Sequence, residues 1–163
     1  TPTGKVELKL STGEKLKLKP LPEFTSLPEA DDPDFPLILI SAKSRYYLLS
    51  SYRWVARLRE KRPHPLVEIH PETAAAYEIS DGDRVVVATR YGEITQIAHV
   101  TDIVHPRVVS AALGWWFPEG AAAAQYEWRK SNFNMLTSMA RLGKEFGTPN
   151  LKNLPCRIRK ESG

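Results

Sequence analysis

The first part of the chain alternates between polar and apolar positions. Lysine alternates with leucine or another apolar or small residue on both sides of Ser11–Glu14. A period of two is typical of β-strands, because successive side chains of a strand point to opposite faces. We therefore predict two short strands within residues 5–19, joined by a turn at Ser11–Glu14. The lysines would face solvent and protect the exposed strand edge.

Five prolines follow within residues 20–36. Proline fixes φ and lacks a backbone N–H donor, so this stretch is expected to be an extended, irregular connection. We interpret residues 1–36 as an N-terminal hairpin with a proline-rich arm that wraps the protein. Residues 37–163 would form the domain that follows.

Short apolar runs separated by turn residues continue from residue 37 onward. The continuous apolar run Leu37–Ile40 predicts a strand that is buried on both faces. A hairpin turn is predicted at Tyr91–Gly92, where glycine supplies the positive φ that a tight turn needs. Further strands are predicted at Leu66–Ile69, Arg84–Arg90, Glu93–Val100, Val108–Leu113 and, after Pro155, Cys156–Arg159.

Helical patterns are few and short. Pro71 suits the first position of a helix and predicts a short helix through about Tyr77. Parts of residues 46–62, 121–130 and 136–146 predict only a few more helical turns. Many short strands with few short helices predict a mainly β protein, in which a closed β-barrel carries helical insertions.

Composition limits the classes of function. The net charge of +4 and the pI near 9.2 allow an anionic partner without requiring one. The one cysteine, Cys156, can form neither an internal disulfide nor a cysteine cluster, and its expected role is core packing. No membrane-spanning apolar run and no secretory leader pattern is visible. The start at Thr1 leads us to expect an excised or processed fragment, so the sequence predicts no compartment.

Motifs for catalysis within the chain are missing from the sequence. The four histidines lack partners at metal-ligand spacing, and neither a nucleophile elbow nor a phosphate-binding glycine loop occurs. The acidic groups Asp31–Asp34 and Asp81–Asp83 lie in turn-like segments, where aspartate bonds its own backbone. We therefore predict no catalytic and no metal-ligating residue in this chain.

The first candidate site follows the predicted strand Leu37–Ile40. Small, polar and basic side chains directly after a buried strand are well placed to contact an anion, and arginine binds phosphate through two parallel hydrogen bonds. Phosphate binding is best supported for Lys43 and Arg45, whereas a solvated helix face is the simpler interpretation for most of the basic stretch up to Arg62. The candidate residues are Ser41, Ala42, Lys43, Ser44 and Arg45.

The second candidate is the aromatic segment Gly114–Pro118. Three adjacent aromatic residues of an extended segment cannot all enter one core, because neighbours face opposite sides. Core packing is expected for one or two of them, and at least one should contact a ligand, another domain or solvent. Trp115 and Trp116 offer faces that suit stacking on a planar heterocycle.

The third candidate is the pair Asn132 and Asn134. In an extended segment two residues at this spacing point the same way, and two amides suit the edge of a purine or pterin. A turn or a helix cap is the alternative, and the spacing alone favours it.

Taken together, these segments resemble the C-terminal domain of the dimethyl-sulfoxide-reductase family of molybdenum and tungsten oxidoreductases. The Gly-Trp-Trp-Phe-Pro-Glu segment is similar to the thiosulfate/polysulfide reductase and acetylene hydratase members of that family. The resemblance covers nearly the whole chain and rests on the order and spacing of its motifs. They are Thr1–Lys5, Pro36–Arg45, Val67–Ala74, Ile79–Val87, Val100–Asp102, His105–Val109, Gly114–Glu119 and Asn132–Thr137.

The resemblance implies a double-psi β-barrel of the aspartate-decarboxylase type over residues 37–163. This barrel would bind one molybdopterin guanine dinucleotide of a bis-pterin cofactor whose molybdenum or tungsten is ligated from absent domains. The loop Ser41–Arg45 would approach the dinucleotide, with its serines and backbone donors on phosphate and either Lys43 or Arg45 neutralising charge.

The resemblance also assigns roles to the other two candidates. Trp115 and Trp116 would lie near the pterin or its phosphates, as would Asn132. Asn134 would hydrogen-bond the pterin edge, and Gly114 would let the chain pass close to the cofactor.

The implied protein is part of an enzyme of anaerobic respiration and has no turnover by itself. Its partners would be the remaining domains of the same polypeptide and an iron–sulfur electron-transfer subunit, with no nucleic acid and no direct membrane span. Two departures from the family pattern are His70, where asparagine is usual, and Ser-Ala-Lys-Ser-Arg in place of Thr-Gly-Arg.

Two other classes of function compete with this interpretation. A stand-alone basic module that binds nucleic acid or a protein partner is the alternative, motivated by the pI and by the basic residues of Arg53–Arg62. A self-processing decarboxylase on the same barrel is disfavoured, because the sequence contains no Gly-Ser pair.

Overall fold

Six β-strands close into a barrel in the computed structural model of the chain. The order around the barrel is β1-β5-β2-β4-β3-β6, and β6 returns to β1. All six predicted strands from Leu37 onward are present, and the expected mainly β, closed barrel is confirmed. In chain order the strands are Leu37–Ala42 (β1), Leu66–Ile69 (β2), Arg84–Thr89 (β3), Gly92–Val100 (β4), Val108–Ala112 (β5) and Lys152–Lys160 (β6).

The structure describes residues 32–143 and 147–162 and, before them, only residues 1, 3–6, 8–9, 13, 17–19 and 21. Most of the predicted N-terminal hairpin and most of the proline-rich arm therefore lie outside the described residues. The division of the chain at residue 36 stays a prediction.

Two parallel strand pairs determine which loops meet. Strand β1 runs parallel to β5 with Ala42 opposite Ala112, so both strands end at the same rim of the barrel. Strand β2 is antiparallel to β5 and begins at this rim. Because β4 is parallel to β2 and antiparallel to β3, the β3–β4 turn at Thr89–Gly92 also lies there. We call this end of the barrel the Ala42 rim.

The barrel core is filled from alternate strand positions. Leu39, Val67 and Val109 are fully buried, as expected for inward positions of a strand with period two. Phe133 and Leu136 come from outside the strands but join the same core cluster. The hydroxyl of Thr89 donates to the Leu136 carbonyl at 3.0 Å, so the segment after Asn132 covers part of the Ala42 rim.

Cys156 points into this core, as predicted. Its side chain is fully buried, and burial raises the pKa of the thiol to about 12. The thiol is therefore protonated at neutral pH and acts as a small apolar core group.

The helices are short, as expected. Among the described residues from Asp32 onward, the α-helices are Ala56–Lys61 (α1) and Pro71–Ala76 (α2), and the other helical turns are of the 3-10 type. The predicted helix over Ala121–Lys130 is a 3-10 segment that is interrupted where Gln125, Tyr126 and Glu127 take left-handed φ angles of 52–53°. The other 3-10 turns are Phe133–Leu136 and Met139–Arg141.

His70 caps helix α2. Its Nδ1 accepts a hydrogen bond from the backbone N–H of Glu72 at 3.2 Å, with Pro71 at the start of the helix. The histidine therefore takes the role of an N-cap asparagine. We expect His70→Ala to lower the free energy of unfolding by about 1 kcal/mol, and His70→Asn to stay within about 0.5 kcal/mol of wild type. Urea unfolding checks this, and equal losses in both variants would contradict a capping role.

Strand β6 is longer than the predicted strand Cys156–Arg159. Pro155, which was expected to precede the strand, lies within it. It pairs with β1 up to Cys156 and with β3 from Arg157 onward. Pro155 therefore has a partner strand on one side only, and a missing N–H is tolerated there as it is on an edge strand.

Ion pairs fasten the end of β6 to the start of β3. Lys160 Nζ lies 2.8 Å from Asp83 Oδ2, and Arg84 pairs with Glu161. The Lys160 hydrogen bond lowers the pKa of Asp83, and the Arg84 hydrogen bond lowers the pKa of Glu161. A carboxylate with a lowered pKa in the folded state stabilises that state above its unfolded pKa, and the contribution is lost as the pH falls.

We therefore expect the thermal midpoint to be steady from neutral pH to about pH 5 and to fall below the ordinary pKa values, 3.8 for Asp83 and 4.5 for Glu161. The double variant Asp83→Asn, Glu161→Gln should show a shallower fall. If the thermal midpoints of wild type and the double variant fall in parallel as the pH is lowered, Asp83 and Glu161 do not cause the fall.

Candidate functional site

The first candidate segment straddles the end of β1. Ser41 and Ala42 still belong to the strand, so only Lys43–Arg45 form the loop that was predicted for Ser41–Arg45. The N–H of Ser41 donates to the Leu151 carbonyl at 3.0 Å. The resemblance implies that backbone donors of this segment bind phosphate, but the N–H of Ser41 is already used in a hydrogen bond within the barrel.

A small pocket of about 40 Å³ lies at the Ala42 rim. Lys43 and Ser44 line it together with Trp115, and Arg62 adds a second cation while Glu68 adds one carboxylate. Its volume suits a group of about the size of a water molecule and not a whole dinucleotide. Two cations, a hydroxyl and an aromatic wall can hold one oxyanion of a larger molecule that extends away from the barrel.

The sequence leaves open whether Lys43 or Arg45 contacts phosphate, and the two residues differ in their relation to the pocket. Both residues are exposed, but Lys43 belongs to the lining of the pocket and Arg45 does not. The Ser44 hydroxyl accepts a hydrogen bond from the Tyr46 N–H at 3.2 Å and keeps its own proton to donate.

Gly114 continues the chain from β5 across the Ala42 rim. Its φ is 72°, in the left-handed region. A Cβ built on it would lie 2.8 Å from the carbonyl carbon of Leu49 and 2.9 Å from the nitrogen of Ser50. The close approach that requires glycine in this structure is therefore to the chain's own backbone.

Trp115 and Trp116 have different surroundings, as their adjacency predicted. Trp115 is buried and meets the Tyr47 ring edge to face, with the ring centroids 5.7 Å apart. Trp116 is half-buried and donates its indole N–H to the Ser50 carbonyl at 2.7 Å. Its centroid lies 5.0 Å from that of the exposed Trp54, so Trp116 belongs to a cluster nearer the surface.

Asn132 and Asn134 stand in a 3-10 turn, so the extended geometry in which both would face one way does not occur. Asn132 caps the turn, since its Oδ1 accepts the N–H of Asn134 at 3.1 Å. Its Nδ2 also donates to the Trp115 carbonyl at 3.1 Å, which brings this segment against the aromatic one. Asn134 is exposed, and within the described residues its side-chain amide makes no hydrogen bond.

Arg53 is a component that the sequence did not single out. The run of basic residues predicts a solvated face for Arg53, but its side chain is only 1% exposed. Its Nε donates to the Trp116 carbonyl at 3.1 Å, and its guanidinium carbon lies 3.5 Å from the centroid of the Trp115 ring. The neighbouring aromatic residues Tyr52 and Trp54 were the available signal, and that signal does not distinguish a buried arginine from an exposed one.

Gln96 was also missed. Its side chain is buried and bonds the backbone of Ala112 twice, donating to the carbonyl at 3.0 Å and accepting the N–H at 2.9 Å. Its Nε2 also donates to the Ser131 carbonyl at 3.2 Å. A signal did exist, because Gln96 is a polar residue at an inward position between Ile94 and Ala98.

The structure therefore brings Lys43, Ser44, Trp115 and Asn132 together at the Ala42 rim. Trp116 belongs to a neighbouring aromatic cluster with Trp54. Arg45 and Asn134 are exposed. Within the described ranges no three His, Cys, Asp or Glu side chains are grouped as metal ligands would be. In the same ranges no helix combines the length and apolar character that a membrane crossing needs.

A closed barrel with a small pocket at one rim is compatible with a cofactor-binding domain, although the fold alone does not determine the function. The model of the family described as "Molydopterin dinucleotide binding domain" matches residues 37–155. The chain belongs to this family, which confirms the resemblance and ties the chain to a molybdopterin dinucleotide cofactor.

Known relatives agree with this assignment. The chain is 32% identical over 146 residues to dopamine dehydroxylase from Eggerthella lenta, covering 86% of this chain and 14% of that protein. It is 32% identical over 98 residues to a putative dimethyl sulfoxide reductase catalytic subunit from Halobacterium salinarum, covering 60% of this chain and 12% of that protein. The structure of acetylene hydratase from Pelobacter acetylenicus superposes with a TM-score of 0.83 at 29% identity, covering 98% of this chain and 24% of that one.

The chain thus spans about a seventh of the length of the first curated relative. The double-psi barrel and the acetylene hydratase resemblance are confirmed, and the chain is a molybdopterin-dinucleotide-binding domain. These relatives give no support to a stand-alone basic binding module.

Proposed function

We propose that this chain binds one molybdopterin guanine dinucleotide as the C-terminal domain of a larger molybdenum or tungsten oxidoreductase. The supporting observation is that parallel strands β1 and β5 end together, which places Lys43 and Ser44 beside Trp115. Segments far apart in the sequence thereby form one cationic, aromatic-walled pocket within residues 37–155, the part that matches the family.

The polar groups at the rim fit a dinucleotide. Lys43 and Arg62 carry the positive charge that a phosphate requires, and Ser44 adds a hydroxyl donor. The exposed amide of Asn134 has free donors and an acceptor for the edge of a planar heterocycle. Asn132 positions the Trp115 segment through its bond to the backbone carbonyl, and Trp115 forms one wall of the pocket.

Buried donors without acceptors also suit an anionic group. The terminal nitrogens of Arg53 and the indole nitrogen of Trp115 have no hydrogen-bond partner in the described part of this chain. The bound metal–dithiolene unit would supply the redox chemistry, and this chain would bind and orient one of its dinucleotides.

The polypeptide that carries this chain should copurify with molybdenum or tungsten and should release GMP on acid hydrolysis. Metal analysis and nucleotide chromatography measure both quantities. Active protein that contains neither would refute the proposal.

A matched pair of variants tests the pocket. We expect Lys43→Met to lower the GMP content about tenfold, because it removes a charge-assisted contact to phosphate worth about 1.5 kcal/mol. Arg45→Met should leave the content within about twofold, because Arg45 lies outside the pocket lining. The reverse order of effects would assign the phosphate contact to Arg45.

The partners of the domain belong to the same proposal. The remaining domains of the polypeptide would supply the metal ligand, and an iron–sulfur subunit would carry electrons. Support comes from the Halobacterium salinarum relative, because its description as a catalytic subunit implies further subunits. Copurification of an iron-containing subunit with the tagged polypeptide tests this, and an active single-subunit enzyme would contradict it.

A further inference from the structure

Arg53 is a buried charge whose hydrogen-bonding capacity is mostly unused. Its side chain is 1% exposed, and only Nε has an acceptor, the Trp116 carbonyl. The two terminal nitrogens are shielded from solvent and have no hydrogen-bond partner in the described part of the chain. Burying an unpaired charge is costly, so the fold retains this arginine at the expense of stability.

Aromatic rings hold the guanidinium in one position. Its central carbon lies 3.5 Å from the centroid of Trp115 and 4.6 Å from that of Tyr47. Stacking of this kind attracts a cation but does not satisfy its N–H groups. The indole nitrogen of Trp115 is likewise buried and without a partner among the described residues. Four guanidinium N–H groups and one indole N–H are therefore concentrated in one place.

Donors without acceptors call for an oxygen-rich anion. The Tyr47 hydroxyl and, more weakly, Glu119 act on Arg53 electrostatically, but in the described part of the chain neither has hydrogen-bond geometry to the terminal nitrogens of Arg53. Trp115 contacts Arg53 on its ring and also lines the pocket that contains Lys43 and Ser44. Arg53 does not itself line this pocket, but it packs on Trp115, which does, so this one ring connects the unused donors with the place where the proposed function requires a phosphate.

We infer that Arg53 is a further cofactor-binding residue, which binds an oxyanion of the dinucleotide's pyrophosphate next to the Lys43–Ser44 loop. This inference rests on the proposed function. Because both terminal nitrogens are shielded from solvent, binding of the oxyanion requires that the residues around Arg53 rearrange.

The substitution Arg53→Met separates ligand binding from a structural role, because the two roles predict opposite signs. Methionine fills the space between the rings without a charge. In the cofactor-free polypeptide we expect Arg53→Met to raise the thermal midpoint by about 2–4 °C, since an unpaired buried charge is removed. In polypeptide made with the cofactor, the GMP content should fall about tenfold or more.

Three further variants complete the test. Arg57→Met makes the same change at an exposed position of α1 and should alter neither quantity. Arg53→Lys keeps the charge but not the planar fork, and it should retain an intermediate GMP content. Glu119→Gln should match wild type in GMP content and thermal midpoint. A loss of GMP as large as that of Arg53→Met would identify Glu119 as the partner of Arg53 and overturn the inference.

The remaining outcomes are also decisive. Wild-type polypeptide without GMP would refute the proposed function and this inference with it. Wild type with GMP and Arg53→Met with equal GMP would overturn the inference alone. A lower midpoint in cofactor-free Arg53→Met would show that Arg53 is structural or pairs with a carboxylate of another domain, because such a partner is present without cofactor.

Discussion

Replacing Gly114 by alanine is expected to lower the free energy of unfolding by about 4 kcal/mol. Two costs combine, because φ is 72° and the new Cβ would stand 2.8 Å from Leu49 carbon and 2.9 Å from Ser50 nitrogen. Both neighbours are backbone atoms, so no side-chain rotation relieves the contact and the segment at Leu49–Ser50 must move. Chemical denaturation followed by tryptophan fluorescence measures the loss.

Two other glycines allow the cost of backbone strain and the cost of the close Cβ contact to be measured separately. Gly82 has a φ of 85° and nothing within 4 Å of its Cβ position, so Gly82→Ala carries backbone strain alone, about 1–2 kcal/mol. At Gly92 the φ is not left-handed, but a Cβ would lie 2.6 Å from the Met135 carbonyl oxygen, so Gly92→Ala carries the contact alone, about 2 kcal/mol. A Gly114→Ala loss no larger than that of Gly82→Ala would show that the neighbouring loop yields without cost.

The strands could be predicted from the sequence because their signals are local. Leu66–Ile69 lies between Pro65 and Pro71 and was predicted correctly. The hairpin turn was predicted one residue too late, because Thr89 pairs with Gly92 and the turn is Arg90–Tyr91. The positive φ predicted for Gly92 is wrong. The order of strands around the barrel depends on pairs far apart in the chain, such as Leu37 with Cys156. Periodicity contains no information about such pairs, and only the family resemblance supplied the barrel type.

The candidate site was predicted in part for the same reason. Lys43 and Trp115 follow the ends of strands that could be recognised locally, and the parallel pairing of β1 and β5 brings them together. Arg53 was missed because its burial depends on Tyr47 and Trp115, which are distant from each other in the sequence. A run of basic residues predicts a solvated face on average, and one buried member does not change the pattern.

The substitution Gln96→Leu is expected to lower the free energy of unfolding by about 3 kcal/mol. Strand β2 begins only at Leu66, and Pro65 before it lacks an N–H, so at this level the Gln96 amide joins β4 to Ala112 of β5. Leucine fills a similar volume but leaves the N–H and carbonyl of Ala112 and the carbonyl of Ser131 without their partner. Buried polar groups that lose their partners cost more than the bonds themselves contribute.

The exposed Gln125 provides the control. Its side chain accepts the Trp128 indole N–H at 3.0 Å, so Gln125→Leu also removes a hydrogen bond, but water can replace it, and the loss should stay below about 1 kcal/mol. Gln96→Glu adds a second test. Its carboxylate can accept the Ala112 N–H but faces two carbonyls, so this variant should be less stable at about pH 8 than at about pH 6, where burial favours the protonated acid. Urea midpoints of Gln96→Leu and Gln125→Leu that coincide would mean that water reaches the gap beside β2. The amide would then not be needed to close the barrel at the Ala42 rim.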